Sequence, residues 1–180
     1  MEIRLGTIND IDSWMRLVYK VKDIFPGLET KEAIEEHRNT VLEFISRGEA
    51  ICALDEGNII GILLFSKEMS RLCFLAVDSA YRRQHIAYRL VKTMYDNMDP
   101  VKDITLETHP DGVPEGIAAR KFYKSLGFVE GCIKEEFGSS VQEFILRGSK
   151  RTMLDYPKSY SELTTEKLER DSADLKAKKE

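Results

Sequence analysis

Two arginines and a glutamine stand where an apolar segment, residues 72–77, gives way to an amphipathic one. Where a strand turns into a helix, the first helical N–H groups lack intrahelical acceptors and lie at the positive end of the helix dipole. Guanidinium groups beside such amides can neutralise a bound phosphate. A surface helix start with solvated arginines is the alternative. The candidate diphosphate site consists of Arg82, Arg83, Gln84, His85, Ile86 and Ala87.

A second candidate is Tyr123, in the segment AARKFYKSLGF, residues 118–128. Gly127 suits the left-handed position that ends a helix, and Phe128 can then pack back against the helix. The ring of Tyr123 would be held there while its hydroxyl reaches a site. One more core aromatic is the alternative interpretation. The helix face predicted to be buried consists of Ala118, Phe122 and Leu126.

In this order the two segments resemble the GCN5-related N-acetyltransferase (GNAT) superfamily, and the resemblance runs from Ile3 to Arg147. The phosphate motif of that family, Arg/Gln-x-x-Gly-x-Gly/Ala, is matched by residues 82–87. Its later motif, Ala-x-x-Phe-Tyr-x-x-x-Gly-Phe, is matched completely by residues 119–128. Two motifs in the right order are far more specific than either one alone.

The resemblance implies that acetyl-CoA is the co-substrate and that its acetyl group passes to an amine. It assigns the pyrophosphate to residues 82–87, and it gives Tyr123 the role of protonating the departing thiolate, beside the sulfur end of CoA. General acid assistance of this kind contributes roughly 10²–10⁴-fold. The backbone groups implied to hold the pantetheine arm are those of Leu75, Ala76 and Val77.

Two residues depart from the family pattern. His85 stands at a glycine position, where a side chain is tolerated if the residue is right-handed helical and directs its N–H at the anion. We therefore expect His85 to be helical, with a side chain that is solvated or faces the phosphate. Gly116 stands where many relatives carry an asparagine that steadies the pantetheine arm, so that contact is expected to be missing or replaced.

The acceptor side needs a base, because an amine attacks only when it is neutral. Glu107 and His109 are the nearest candidates, and the two-residue alternation of the predicted strand DITLETH would place them on one face. An ordinary surface or paired residue is the alternative for each. The loops of residues 23–30 and 108–116 are expected to wall the acceptor cleft. The acidic residues that can attract a cation there, or simply end a helix in solvent, are Asp23, Glu29 and Glu32.

The elements that must position these residues follow from hydrophobic periodicity and turn signals. Asn9 is expected to cap a first helix that runs to Phe25, and a second helix is expected over residues 30–47. A hairpin is predicted around residues 56–58, and a third helix over residues 82–98. By analogy with the family, we expect an α/β (α+β) fold with a mixed, mainly antiparallel sheet of about seven strands and about four helices on both faces.

Composition restricts the class of protein. The chain has 180 residues, 42% of them hydrophobic, and a formal net charge of -4, which suits one domain and argues against a protein that coats nucleic acid. No apolar run approaches the roughly 20 residues of a membrane span, and the N-terminus is charged where a signal peptide is apolar. We expect a cytoplasmic monomer or homodimer without nucleic-acid or membrane partners.

Neither a metal site nor a redox pair is expected, because the cysteines lack the necessary spacing. We expect all three as core residues in a reducing compartment, namely Cys52, Cys73 and Cys132. Residues 150–180 mix charges of both signs with few large apolar side chains, so we expect a disordered tail or a solvated helix there. The acetyltransferase domain is accordingly assigned to residues 1–149.

Three functions compete at this point. The first is an acetyltransferase that acts on an amine of a small molecule or a protein. The second is a non-catalytic module that binds or senses acyl-CoA, and the third is a nucleic-acid binder that uses the basic residues around Arg82. The complete Tyr123 motif favours the first over the second, and the net negative charge argues against the third.

Overall fold

Seven strands form one mixed sheet in the structure, a computed structural model that describes residues 1–136 and 138–148. The strand order is β1-β2-β3-β4-β5-β7-β6, and neighbours are antiparallel except for the parallel pair β4 and β5. The prediction of a mainly antiparallel sheet of about seven strands is confirmed. The strands are β1 (Glu2–Leu5), β2 (Ala50–Asp55), β3 (Asn58–Ser66), β4 (Arg71–Val77), β5 (Ile104–Thr108), β6 (Val129–Glu136) and β7 (Ser139–Leu146).

Within the described residues, four α-helices cover the two faces of this sheet, as predicted. Trp14 and Val41 belong to the core between the sheet and the first two helices, whereas Leu90 and Tyr123 belong to the core under the last two. Since β3 lies between both layers, it is an almost continuous apolar run and is buried from residue 59 onward. The helices are α1 (Ile11–Val21), α2 (Lys31–Ser46), α3 (Ile86–Asp96) and α4 (Ile117–Ser125).

The predicted boundaries of the first two helices are partly correct. The second helix begins close to its predicted start at Thr30, which caps α2, because its hydroxyl accepts a hydrogen bond from the N–H of Ala33 at 3.0 Å. The predicted cap at Asn9 is wrong. That residue lies inside a 3₁₀ turn, Ile8–Asp10, and the carboxylate of Asp10 accepts from the backbone N–H of Thr7 at 2.7 Å. The predicted helix end at Phe25 is also wrong, because a second 3₁₀ turn, Lys22–Ile24, follows α1.

The prediction that all three cysteines are core residues is correct for Cys52 alone. Cys52 is buried, but Cys73 and Cys132 are exposed. Cys73 is the extra residue of a bulge in β4, since Leu64 faces Phe74 and the next residue of β3 faces Leu72. Cys132 lies on β6, which is an edge strand. The prediction of burial from apolar runs is therefore wrong for both cysteines, because a bulge and a sheet edge interrupt the alternation of buried positions.

Two negative findings apply to the described residues. No helix in them is both long enough and apolar enough to cross a bilayer. Nor do they contain a group of three His, Cys, Asp or Glu side chains placed to hold a metal ion. The predicted tail, residues 150–180, and the predicted domain boundary at residue 149 lie outside the described residues.

Candidate active site

A cleft opens in the middle of the sheet, where β4 and β5 separate. Their parallel pairing consists of one register pair, Arg71 with Thr105, in the part of the chain that the structure describes. Beyond that pair, toward Val77, β4 keeps its hydrogen bonds to β3, but no strand of the described residues pairs with its other side. The backbone groups on this side of β4 are therefore available to a ligand.

The alternation of β4 identifies which backbone groups face the cleft. The N–H of Asp78 donates to the carbonyl of Ile60 at 2.9 Å, which makes these two residues a hydrogen-bonded pair with β3. Two residues earlier in β4, the backbone N–H and C=O groups of Ala76 are directed at β3 in the same way. Leu75 and Val77 direct their N–H and C=O groups to the opposite side, toward β5. Of the three residues predicted to hold pantetheine, these two present backbone groups to the cleft, and Ala76 separates them.

The turn between β4 and α3 is exposed, and its last residues are not helical, contrary to the prediction of a helix over residues 82–98. Residues 82–85 are all exposed, whereas α3 begins at Ile86. His85 is the residue before α3 and has φ 57° and ψ 16°, and Arg83 has φ 61°. The expectation that His85 is right-handed helical is wrong. Both residues adopt the left-handed region that glycine accepts most easily, so the family's glycine at this position has a conformational reason.

This left-handed geometry is still compatible with anion binding. The N–H groups of Ile86 and Ala87 lie in the first turn of α3, where a helix offers them no acceptor. Backbone amides that converge around left-handed residues form concave nests, which bind anions. Arg82 and Arg83 add two exposed cations to this turn. The residues of the turn therefore fit a diphosphate, through a nest rather than through a regular helix start.

Asp78 anchors the start of the turn. Its carboxylate accepts from the N–H of Ala80 at 3.1 Å and from Lys20 Nζ at 2.7 Å. Although this carboxylate is mostly buried, the hydrogen bond from Lys20 lowers its pKa below the ordinary value. α1 is thereby tied to the end of β4, just before the candidate phosphate site.

The helix that carries Tyr123 ends as predicted. Gly127 has φ 88°, and its N–H donates to the carbonyl of Lys124 at 3.0 Å. The N–H of Phe128 donates to the carbonyl of Tyr123 at 3.1 Å, which completes the two bonds of a Schellman motif. The Phe128 ring lies 5.8 Å from the Tyr123 ring. This ending fixes the tyrosine on a rigid turn of helix.

Tyr123 is more deeply buried than predicted. Its side chain packs among the rings of Phe122, Phe128 and Phe144, and 7% of the residue is exposed. Burial raises the pKa of the hydroxyl above its ordinary value, which by itself is high enough to keep a phenol protonated at neutral pH. A protonated hydroxyl is the state that a proton donor requires.

The predicted buried face of α4 is only partly correct, since Leu126 is buried and Phe122 is half-buried. Ala118 is exposed, whereas Arg120, Tyr123 and Leu126 form the buried side. Arg120 was missed because a charged side chain was not expected at a core position. Its spacing of three residues from Tyr123 was the available signal, since residues i and i+3 share a helix face.

Glu107 lies on β5 just beyond the pair that joins β4 and β5, and its side chain is 6% exposed. Its carboxylate forms an ion pair with Arg71, and Lys134 Nζ lies 3.6 Å from Oε1. Oε2 nevertheless has no donor in hydrogen-bond geometry among the described residues. Burial raises the pKa of this carboxyl above its ordinary value, and the charge of Arg71 opposes the increase.

His109 is not on β5, so the predicted shared strand face with Glu107 is wrong. The strand ends at Thr108, and the ring of His109 contacts the segment after α1, with Nε2 3.3 Å from the carbonyl oxygen of Ile24. An acceptor at this distance favours the tautomer with the proton on Nε2, which leaves Nδ1 as the basic atom.

A pocket of about 400 Å³ lies where His109 meets the segment after α1. Both loops predicted to wall an acceptor cleft contribute to it, so their convergence is confirmed. Of the acidic residues expected there, Asp23 and Glu29 line the pocket, and Glu115 joins them. Glu32 is not part of its wall. The lining consists of residues 22–26, Glu29, His109, Glu115 and Ser139.

Comparison with known proteins agrees with this geometry. The model of a family described as Acetyltransferase (GNAT) domain matches residues 46–130, from the end of α2 to the start of β6. This range contains the β4–β5 cleft, the turn before α3 and the Tyr123 helix. No curated protein matches the chain.

Solved structures of acetyltransferases share the fold at low sequence identity. A GNAT-family acetyltransferase from Bacillus cereus is 20% identical with a TM-score of 0.61, and the alignment covers 81% of this chain and 96% of that chain. An N-acetyltransferase from Staphylococcus aureus is 16% identical with a TM-score of 0.63, covering 81% and 100%. An N-acetyltransferase from Thermoplasma acidophilum in complex with coenzyme A is 17% identical with a TM-score of 0.55, covering 79% and 96%. The resemblance predicted from the two motifs is confirmed.

Proposed function

From the GNAT acetyltransferase domain and fold of this chain, we propose that it is an N-acetyltransferase that uses acetyl-CoA and acetylates a primary amine of a small molecule or protein. The observation that carries the proposal is the side of β4 that has no partner strand. Leu75 and Val77 present backbone groups there, and the exposed turn of residues 82–87 follows at its end. A pantetheine arm and a diphosphate require these two features in this order.

Cofactor binding divides between the two features. The backbone groups of Leu75 and Val77 hold the amide groups of pantetheine, as an added strand would. The amides of the turn, together with Arg82 and Arg83, hold the diphosphate. When bound, acetyl-CoA supplies the thioester carbonyl that the amine attacks.

Proton transfer is assigned to two residues. His109 takes one proton from the ammonium form of the acceptor at Nδ1, so that the neutral amine can form the C–N bond. As the C–S bond breaks, Tyr123 gives its phenolic proton to the thiolate, and solvent restores that proton. The second N–H proton is lost as the amide forms, so one proton is released in the complete reaction.

Glu107 is the weaker candidate for the base. Its carboxylate is already balanced by Arg71 and Lys134, and it is nearly inaccessible. Its proposed role is to hold Arg71 where β4 and β5 separate. Glu107→Gln is accordingly expected to affect the stability of the fold more than the pH dependence of turnover, whereas His109→Gln should remove the ionisation of the base from the pH profile.

The decisive experiment is a screen of amines that measures free thiol released from acetyl-CoA. Release that depends on an amine, with the acetylated product identified by mass spectrometry, is the expected result. Tight binding of acetyl-CoA without release across small amines, polyamines and peptide amino groups would instead indicate the non-catalytic acyl-CoA module.

A further inference from the structure

Arg120 is a buried cation that the proposed reaction does not use. Its side chain is 7% exposed, although it belongs to a short helix with a solvated outer face. A buried guanidinium is costly unless its hydrogen-bond partners are in place, and such groups are weak contributors to stability. The contacts that Arg120 makes therefore matter more than its charge.

These contacts join three parts of the molecule. Nη1 donates to the backbone carbonyl of His109 at 3.2 Å. Nη2 forms an ion pair with Glu130 on β6 and lies 3.5 Å from Asp111, two residues after His109. The guanidinium carbon lies 5.4 Å from the centre of the Phe144 ring on β7. Arg120 thus holds the loop after β5 against the helix that carries Tyr123.

The same loop is constrained from two further directions. The His109 ring contacts the carbonyl of Ile24. On the other side, a β-carbon built at Gly116 would lie 2.5 Å from Cβ of His109, so the absence of a side chain at Gly116 allows the close approach. His109 is therefore held by its backbone, by its ring and by the space left at Gly116.

We infer that Arg120 is a positioning residue, which fixes His109 in the wall of the acceptor pocket relative to the helix of Tyr123. The inference rests on the proposed function for its kinetic consequence, because the pocket that it shapes is the proposed acceptor site. Small displacements of a positioned group cost up to about 10²-fold in rate. Loss of Arg120 should therefore raise the KM for the acceptor and also lower kcat, because His109 is the proposed base, while the affinity for acetyl-CoA stays unchanged.

The kinetic test compares Arg120→Gln and Arg120→Lys with Lys124→Gln. Lys124 lies on the same helix and contacts the same Glu130, at 2.8 Å, but its side chain is half exposed. We expect roughly a 10-fold or larger increase in acceptor KM for both Arg120 variants, since lysine cannot reproduce a planar fork of donors. The control should stay within 2-fold. Equal behaviour of the Arg120 variants and the control would overturn the inference.

Gly116→Ala tests the same arrangement with Arg120 intact, in case the Arg120 variants fail to fold. The added β-carbon must displace His109, so it should produce the same increase in acceptor KM. In a double-mutant cycle, Gly116→Ala and Arg120→Gln should be less than additive, because both act through one loop. Full additivity, or no effect of Gly116→Ala, would count against a shared role.

A spectroscopic measurement separates this inference from the proposed function. The chain has three histidines, so the imidazole nitrogen signal of His109 can be assigned by comparison with His109→Gln. In Arg120→Gln that signal should shift, and in Lys124→Gln it should not. A shift without amine-dependent thiol release in the wild type would overturn the proposed function but support the positioning of His109. Turnover with an unchanged signal and an unchanged KM would overturn the positioning.

Discussion

The two halves of the candidate site are built from different parts of the chain. The proposed cofactor side consists of consecutive residues, from β4 through the turn to the start of α3, and it acts mainly through backbone groups. The proposed acceptor pocket is assembled from the segment after α1, the loop after β5 and the first residue of β7, and it would act through side chains. A contiguous backbone site leaves a motif in the sequence, whereas an assembled side-chain site leaves none.

The two halves should therefore also differ in the substitutions that they tolerate. Backbone groups persist when a side chain is replaced, so single substitutions on the cofactor side should have graded effects. On the acceptor side, and at Tyr123, the proposed proton donor, a single side chain would carry each function. The largest effect is expected at Tyr123, the proposed proton donor, and the smallest at a single residue of the turn.

Tyr123→Phe should lower kcat by about 10²-fold, because a general acid is lost while the packed ring remains. Acetyl-CoA affinity and thermal stability should stay near those of the wild type. The measurement is kcat at saturating acetyl-CoA, with Phe122→Leu as a neighbouring control for packing. If kcat is unchanged when chemistry is rate-limiting, Tyr123 is not the proton donor, and lost cofactor affinity would assign it to the sulfur end of CoA.

Replacing both Arg82 and Arg83 by alanine should weaken acetyl-CoA binding on the order of 10-fold, because exposed charge-assisted contacts to phosphate are lost. With a short pantetheine thioester, which lacks the diphosphate, the defect should disappear. Lys92→Ala removes a cation from α3, the helix that follows this turn, where Lys92 pairs with Asp96 at 3.8 Å, and it should have little effect on either donor. An equal loss with both donors would remove the diphosphate assignment.

Asp78→Ala should destabilise the protein by about 1 kcal/mol at neutral pH, because a cap and an ion pair are lost together. The pKa of Asp78 is lowered in the folded state, so its contribution is present above the unfolded pKa near 4 and is lost as pH falls through the folded pKa. Unfolding free energies of the two proteins should therefore converge below about pH 4. A gap that stays constant down to pH 2 would mean that ionisation of Asp78 contributes nothing.

His85→Gly should stabilise the protein by up to about 1 kcal/mol. The left-handed conformation costs a residue with a β-carbon roughly 1–2 kcal/mol, and the greater backbone entropy of glycine offsets part of that gain. Thermal unfolding measures the effect, with Ile86→Gly, inside α3, as a control that should be destabilised. A lower melting temperature for His85→Gly would show that contacts of the imidazole outweigh the backbone strain.

Much of the fold could be predicted because its signals are local. The hairpin at residues 56–58, the cap at Thr30 and the left-handed Gly127 each follow from residue types within one turn. The start of α3 could not be placed, because the apolar period continues through residues whose backbone is left-handed. A hydrophobic pattern records which side chains are buried and does not record the sign of φ.

The sequence by itself determined the order of elements, the strand that ends in the turn before α3 and the helix that carries Tyr123, since these depend on periodicity and short motifs. Only the tertiary structure decided that β4 and β5 separate after Arg71, that Arg120 is buried and that His109 leaves β5 to join Ile24. The physical reason is the separation along the chain between the residues that interact. Caps, turns and amphipathic faces are set by neighbours a few residues away, whereas the cleft and the pocket exist only where distant segments meet.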